Sequence, residues 1–168
     1  MALHRLPILN WSTTPDASGN VFHEPYTVKA TNDVWGYRVW VFNQSSTRDG
    51  LRGSFNVPKG YVDSASLIIV WTTTVTVNDV EWDFDYRAVG GNDAESLDQA
   101  GTQQTVNLQQ TAPTAINERM ELSIALTDGN FAADDTVQFE LFRDQVDAGD
   151  TITVAVTLHG LYFEYADF

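Results

Sequence analysis

Val80-Glu81-Trp82-Asp83-Phe84-Asp85-Tyr86-Arg87-Ala88 alternates without a break, with even positions apolar and odd positions charged. Successive side chains of a β-strand point to opposite faces. The stretch therefore reads as a strand with Trp82, Phe84 and Tyr86 toward a core and Glu81, Asp83, Asp85 and Arg87 toward solvent. Wound as a helix, the same residues would scatter apolar groups around the whole circumference.

The neighbouring sequence repeats the pattern. Ser66 to Val77 is rich in Thr and Val, and Leu67-Ile68-Ile69-Val70-Trp71 is apolar on both parities, as in a strand covered on both faces. Gln104 to Gln109 reads as a short polar strand. Met120, Leu122, Ile124 and Leu126 share one parity, as do Val137, Phe139 and Leu141. Thr151 to Tyr165 reads as the longest strand. Ile152, Val154, Val156 and Leu158 hold its even positions, and Leu161, Phe163 and Tyr165 continue on odd ones. Gly160, between the two sets, predicts a β-bulge or bend. Tyr37 to Asn43 and Leu51 to Val57 are further strand candidates.

Gly90-Gly91-Asn92-Asp93, Asp128-Gly129-Asn130 and Asp147-Ala148-Gly149-Asp150 are turn clusters. Residues 92–101 read as an acidic loop with room for one helical turn. Residues 110–118 read as an ordered loop around Pro113. No amphipathic helix is legible. The pattern predicts an all-β chain: an antiparallel two-sheet β-sandwich, jelly-roll-like, with an immunoglobulin-like sandwich as the alternative connectivity. Trp82, Phe84, Tyr86, Ile124, Phe139, Leu141 and Val154 are its expected core. Pro7, Pro15 and Pro25 keep the start of the chain out of a helix. Residues 1–30 are expected to form an extended N-terminal arm, and residues 31–168 the β-sandwich domain.

The 168 residues fit one domain of this kind. Nine Lys and Arg against 23 Asp and Glu give a formal net charge of −14. Nucleic-acid binding draws on a basic footprint, and anionic membrane surfaces repel acidic chains, so neither partner is expected. With no cysteine, disulfides, thiolate zinc sites and a cysteine nucleophile are excluded. No apolar run approaches the ~20 residues of a membrane-spanning helix. Met1 to Pro7 lacks a signal-peptide core, so synthesis without classical export is the expectation.

No site of catalysis is expected. Glu81-Trp82-Asp83-Phe84-Asp85 resembles the Glu-x-Asp-x-x-Glu strand of laminarinase-type jelly-roll glycosidases, but its third acid falls one position early and is an aspartate. Residues four apart on a strand lie roughly 13 Å apart, against ~5 Å for a retaining carboxylate pair. A solvated strand face is the simpler reading. Asp144, Asp147 and Asp150, and Asp134 with Asp135, are acidic loop tips of the kind that can supply calcium oxygens, yet they lack the order of a dedicated calcium loop. Acidic turn residues suffice to explain them, so no metal or cofactor is expected. His4, His23 and His159 form no ligand motif. Trp11, Trp35 and Trp40 suit either protein anchoring, the favoured reading, or sugar stacking.

Val57-Pro58-Lys59-Gly60-Tyr61-Val62 running into Leu67 to Trp71, then Trp82 to Arg87, Phe139 to Asp144 and Leu158 to Tyr165, resembles small β-sandwich proteins encoded among the virion genes of tailed bacteriophages. That resemblance covers residues 57–168. It implies a non-enzymatic cement protein on the capsid exterior, usually trimeric, bound to the major capsid protein and made in the host bacterial cytoplasm. Leu3, Leu6, Ile8, Leu9 and Trp11 would be the capsid-facing anchor. Ile68, Val70, Phe142 and Phe163, on nominally outer or doubly apolar positions, would pack a homotrimer. The alternative is a carbohydrate- or receptor-binding module of a tail fibre, with Trp35 or Trp40 as an aromatic platform.

Overall fold

The computed structural model describes residues 2–13, 26–29, 36–44, 46–90, 96–98 and 103–168. These form eleven strands and one short 3-10 turn at Asp128–Asn130. The strands are β1 (Leu3–Pro7), β2 (Trp11–Thr13), β3 (Tyr26–Lys29), β4 (Gly36–Phe42), β5 (Asp49–Asn56), β6 (Tyr61–Thr73), β7 (Asp79–Val89), β8 (Gln104–Thr111), β9 (Met120–Ala125), β10 (Thr136–Arg143) and β11 (Val156–Asp167). One antiparallel sheet runs β3-β4-β11-β6-β9, with β1 beside β4 on the same edge of β11. The other runs β2-β5-β10-β7-β8. Together they form the β-sandwich expected from the alternation.

The core lies between the sheets, and aromatic residues lock it. Phe42 meets Trp82 edge-on at 5.3 Å, and Phe55 meets Phe163 at 5.0 Å, each pair spanning the two sheets. Trp82, Phe84, Tyr86, Ile124, Phe139 and Leu141 are buried as expected. Val154 is half-buried at the core margin. Its segment, expected to be strand from Thr151, joins β11 only at Val156. The carbonyls of Ile152 and Val154 accept from the Arg143 guanidinium, so a side chain occupies groups that a neighbouring strand would otherwise pair.

The bulge falls where the glycine marks it. Between Leu158 and Gly160 the pairing of β11 with β6 slips by one residue. Odd positions beyond the slip take the side that even positions held before it. Phe163, expected to face outward, is therefore in the core with no exposure.

Residues 2–13 are part of the sandwich and not a free arm. β1 pairs with β11, the Ile8 amide donates to the Leu161 carbonyl, and the Asn10 carbonyl accepts from the Ser54 amide. The chain thus crosses from one sheet to the other between Ile8 and Asn10. Ile8 is buried, Leu6 and Trp11 pack against the core, and Trp11 meets Trp40 edge-on at 6.3 Å. Only Leu3 and Leu9 of the expected anchor residues are exposed. The stretches 14–25 and 30–35, with Trp35 and His23, lie outside the described residues.

Candidate functional site

The outer face of the β2-β5-β10-β7-β8 sheet carries a groove of about 720 Å³. Strand register builds its floor. Ser12, Arg52, Glu140, Asp85 and Thr105 are successive partners across β2, β5, β10, β7 and β8. Directly opposed residues of an antiparallel pair point to the same side, so these five form one row across the sheet, about 4.8 Å from strand to strand. Ser54, Gln138 and Arg87 form the next row.

The two rows differ in how their polar groups are satisfied. Arg87 donates to Gln138 Oε1 at 2.8 and 2.6 Å and to the Leu97 carbonyl, which fixes it in place. Among the described residues, Arg52, Glu140 and Asp85 make no side-chain hydrogen bond, and Asp85 Oδ1 is buried without a donor. Burial, then the charge of Asp85, pushes the Glu140 carboxyl above the ordinary carboxylate range, and Arg52 and Arg48 oppose that rise. The groove therefore offers a guanidinium and two carboxyl groups in line, with open hydrogen-bonding capacity.

Beside the groove the same sheet face is closed. Phe142 lies under Arg48, whose guanidinium carbon is 4.2 Å from the ring centroid. Arg48 also pairs with Asp83 at 2.6 Å and Asp144 at 3.2 Å. Glu81 and Asp83, expected in solvent, are only 7% and 9% exposed. The β10–β11 connection folds back over them: the Asp144 amide donates to the Glu81 carbonyl, and the Thr151 amide to the Asp79 carbonyl.

Burial of these acids makes stability depend on pH. Asp83 is pushed up to about 6, first by burial and then by its hydrogen bond with Asp144, while Arg48 opposes the shift. Glu81 is raised by burial and by Asp147, Asp83, Asp144 and Asp150. From about pH 4 to 6 the folded chain holds these protons more tightly than the unfolded chain does. Stability is then fullest at the acid end of that window and is lost as pH rises through it. Allowing for solvent screening, Asp83 alone contributes about 1 kcal/mol. Thermal unfolding is expected to show a Tm higher at about pH 5 than at about pH 7.5 by roughly 2–4 °C. Asp83→Asn is expected to remove most of that difference.

The other expected site residues have structural employment. Asp150 binds the buried Arg143 with both oxygens, Asp144 Oδ1 accepts from the Val146 and Asp147 amides, and Asp147 Oδ1 caps the Gly149 amide. Asp135 Oδ2 accepts from the Ala132 amide. Among the described residues no three metal-ligating side chains converge. His4 pairs with Asp167, and the His159 ring bonds the Thr72 hydroxyl. Trp40 is buried and cannot serve as a surface platform.

Ile68 and Val70, expected at a trimer interface, are already covered. Arg5 donates to Glu164 on β11 and to Glu121 on β9, so its side chain spans the intervening β6. Tyr162, the register partner of Ile68, lies over Gly160, the partner of Val70.

Sequence reasoning missed Arg52, Gln138 and Glu140. Each is a polar residue at an outward position of an alternating strand, a signal legible one strand at a time. Their alignment into rows depends on which strands pair.

No protein-family model and no curated protein matches the chain. Solved structures do match its fold. A carbohydrate-binding module, CBM28, described as specific for non-crystalline cellulose, superposes with a TM-score of 0.56 at 10% identity, over 94% of this chain and 89% of that one. The K1 cleaved adhesin domain of Lys-gingipain from Porphyromonas gingivalis W83 gives 0.52 at 13% identity, covering 99% of both chains. An arabinose-bound α-L-arabinofuranosidase, MgGH51, gives 0.49 at 10% identity. This chain spans only 23% of that enzyme's length. The protein is a jelly-roll-like β-sandwich, a fold it shares with that module and with that adhesin domain.

Proposed function

We propose that the protein is a non-catalytic carbohydrate-binding module that holds a neutral, hydroxyl-rich sugar chain in the groove on its five-stranded sheet. The observation that carries this reading is the row Arg52, Glu140 and Asp85, charged groups in a groove without hydrogen-bond partners in the described chain. A buried acceptor left unsatisfied costs about 1–3 kcal/mol. Sugar hydroxyls donate to carboxylates and accept from guanidinium groups, so they satisfy all three. Arg52 and Arg87 balance Asp85 and Glu140 in formal charge, which favours a neutral chain over an acidic one. The fold shared with CBM28, a module specific for non-crystalline cellulose, supports the same reading.

The capsid-cement reading is not carried forward. It rested on a resemblance to virion proteins that none of the matching structures named above shares, and the described parts of the arm and strand assigned to docking are taken up by the sandwich.

Phe142 lies under Arg48 outside the groove, whereas half-buried Trp11 lines it, so hydrogen bonds from the polar rows act beside one aromatic face. Affinity electrophoresis against soluble cellulose derivatives, mixed-linkage glucan, xylan and galactan, followed by calorimetry, tests the proposal. At least one neutral polysaccharide is expected to bind without release of reducing ends. Arg52→Ala and Glu140→Gln are each expected to weaken binding roughly ten- to hundredfold, with unchanged circular dichroism. Arg5→Gln, on the opposite sheet, is expected to leave affinity unchanged. Failure of every neutral polysaccharide to bind, or indifference to both groove variants, would overturn it.

A further inference from the structure

Antiparallel sheets recruit strands at their edges, and folded proteins guard edges with charge, proline, bulges or brevity. Among the described residues, four edge strands carry such a guard. β2 has three residues, β1 carries Arg5 and ends at Pro7, β3 carries Lys29, and β9 carries Glu121. β8 has none. Its eight residues contain no charge, proline or glycine, and the uncharged run extends from Gln99 to Asn117 in a chain of net charge −14. All its side chains are exposed except the half-buried Val106 and Gln110. Among the described residues, β7 is the only strand paired with it.

We propose that β8 pairs antiparallel with β8 of a second copy, about a two-fold axis at Asn107, joining two five-stranded sheets into one. The strand's own sequence selects this occupant and this register. Opposed residues must point to the same side of the joined sheet, so their numbers must sum to an even value. Centred on Asn107, Val106 faces the partner's Leu108, Thr105 faces the partner's Gln109, and Gln104 faces the partner's Gln110. On the core side apolar Val106 meets apolar Leu108, flanked by the glutamine pair Gln104 and Gln110, and on the outer side polar meets polar. Centred on Leu108, Val106 would face a glutamine, so that register loses the match. The pairing covers Leu108, 39% exposed in the single chain. It also brings two acidic chains together along an edge that holds no charge. An isologous two-fold contact of this kind closes on itself and adds no third copy. It does not depend on what the groove binds.

Light scattering and sedimentation of the intact chain at about 100 μM test the proposal. A dimer is expected, strengthened by added salt as the net charges are screened. Asn107→Lys places lysine against lysine at the axis, and Asn107→Glu places glutamate against glutamate. Each variant is expected to raise the dissociation constant at least roughly tenfold while keeping the native circular dichroism spectrum. Mixing the two is expected to restore the dimer, because a lysine from one variant then meets a glutamate from the other at the axis. A monomeric unmodified chain, or dimers that both variants retain, would overturn the proposal. A mixture that stays monomeric would overturn the Asn107 register.

Discussion

Replacing Arg143 by alanine is expected to destabilise the protein by about 3–5 kcal/mol, read as a lowered midpoint in urea with an unchanged slope. Arg143 has no exposure, and the side chain of its carboxylate partner, Asp150, is 2% exposed. The guanidinium donates to both Asp150 oxygens at 2.8 Å and to the carbonyls of Ile152, Val154 and Phe42. One side chain thus ties the end of β10 to the connection into β11 and to β4. Removing it leaves the buried Asp150 carboxylate with the Glu81 amide alone and takes the guanidinium from the Ile152 and Val154 carbonyls, and each under-satisfied buried group adds a desolvation penalty. Asp150→Asn should fall short of that loss, because the amide oxygen still accepts. If Arg143→Ala shifts the midpoint by less than about 1 kcal/mol, the bound set by a single ordinary hydrogen bond, this buried pair does not hold the β10–β11 connection.

Gly53→Ala is the second large expected effect, about 3 kcal/mol or more. Gly53 sits on β5 at the core-facing parity of Leu51 and Phe55, where a larger residue would ordinarily pack. A Cβ there would lie 2.1 Å from the Asn10 carbonyl oxygen and 2.9 Å from Phe139 Cζ. The first obstacle is backbone. It belongs to the crossing by which the N-terminal segment passes from one sheet to the other and hydrogen-bonds Ser54. A methyl group there must push β2 away from β5. Hydrogen exchange is expected to show lost protection at Ser54 and Ile8, while β6 amides keep theirs. Full native stability in Gly53→Ala would mean that the crossing is not tightly seated.

How much of this was legible in sequence depends on the length over which a physical period persists. β7 alternates for nine residues, Val80 to Ala88, and its core face was read directly. Its outer face was read as solvated, because alternation records which residues share a side but not which loop folds over them. Gly160 marked the bulge, yet parity counted straight through it put Phe163 outside. β1 and β2 were illegible as strands because they are short and belong to different sheets, so no period survives the crossing at Ile8 and Asn10. Thr151 to Val154 alternates well but spends its carbonyls on Arg143, a long-range partner that no local pattern announces. The groove was illegible for a related reason. Arg52, Glu140 and Asp85 are 33 to 88 residues apart in the chain and meet only through strand register.

On the proposed function, the row Arg52, Glu140 and Asp85 contacts the bound sugar chain. Backbone and side-chain NMR of isotope-labelled protein, titrated with an oligosaccharide of the polysaccharide that binds, tests this most directly. Shifts are expected to concentrate on Arg52, Ser54, Asp85, Gln138 and Glu140, with the Arg52 guanidinium protons among the largest. Residues of the opposite outer face, including Arg5, Glu121 and Tyr162, are expected to stay still. Shifts confined to that opposite face or to the loop tips, with the groove residues unmoved by saturating ligand, would contradict the account.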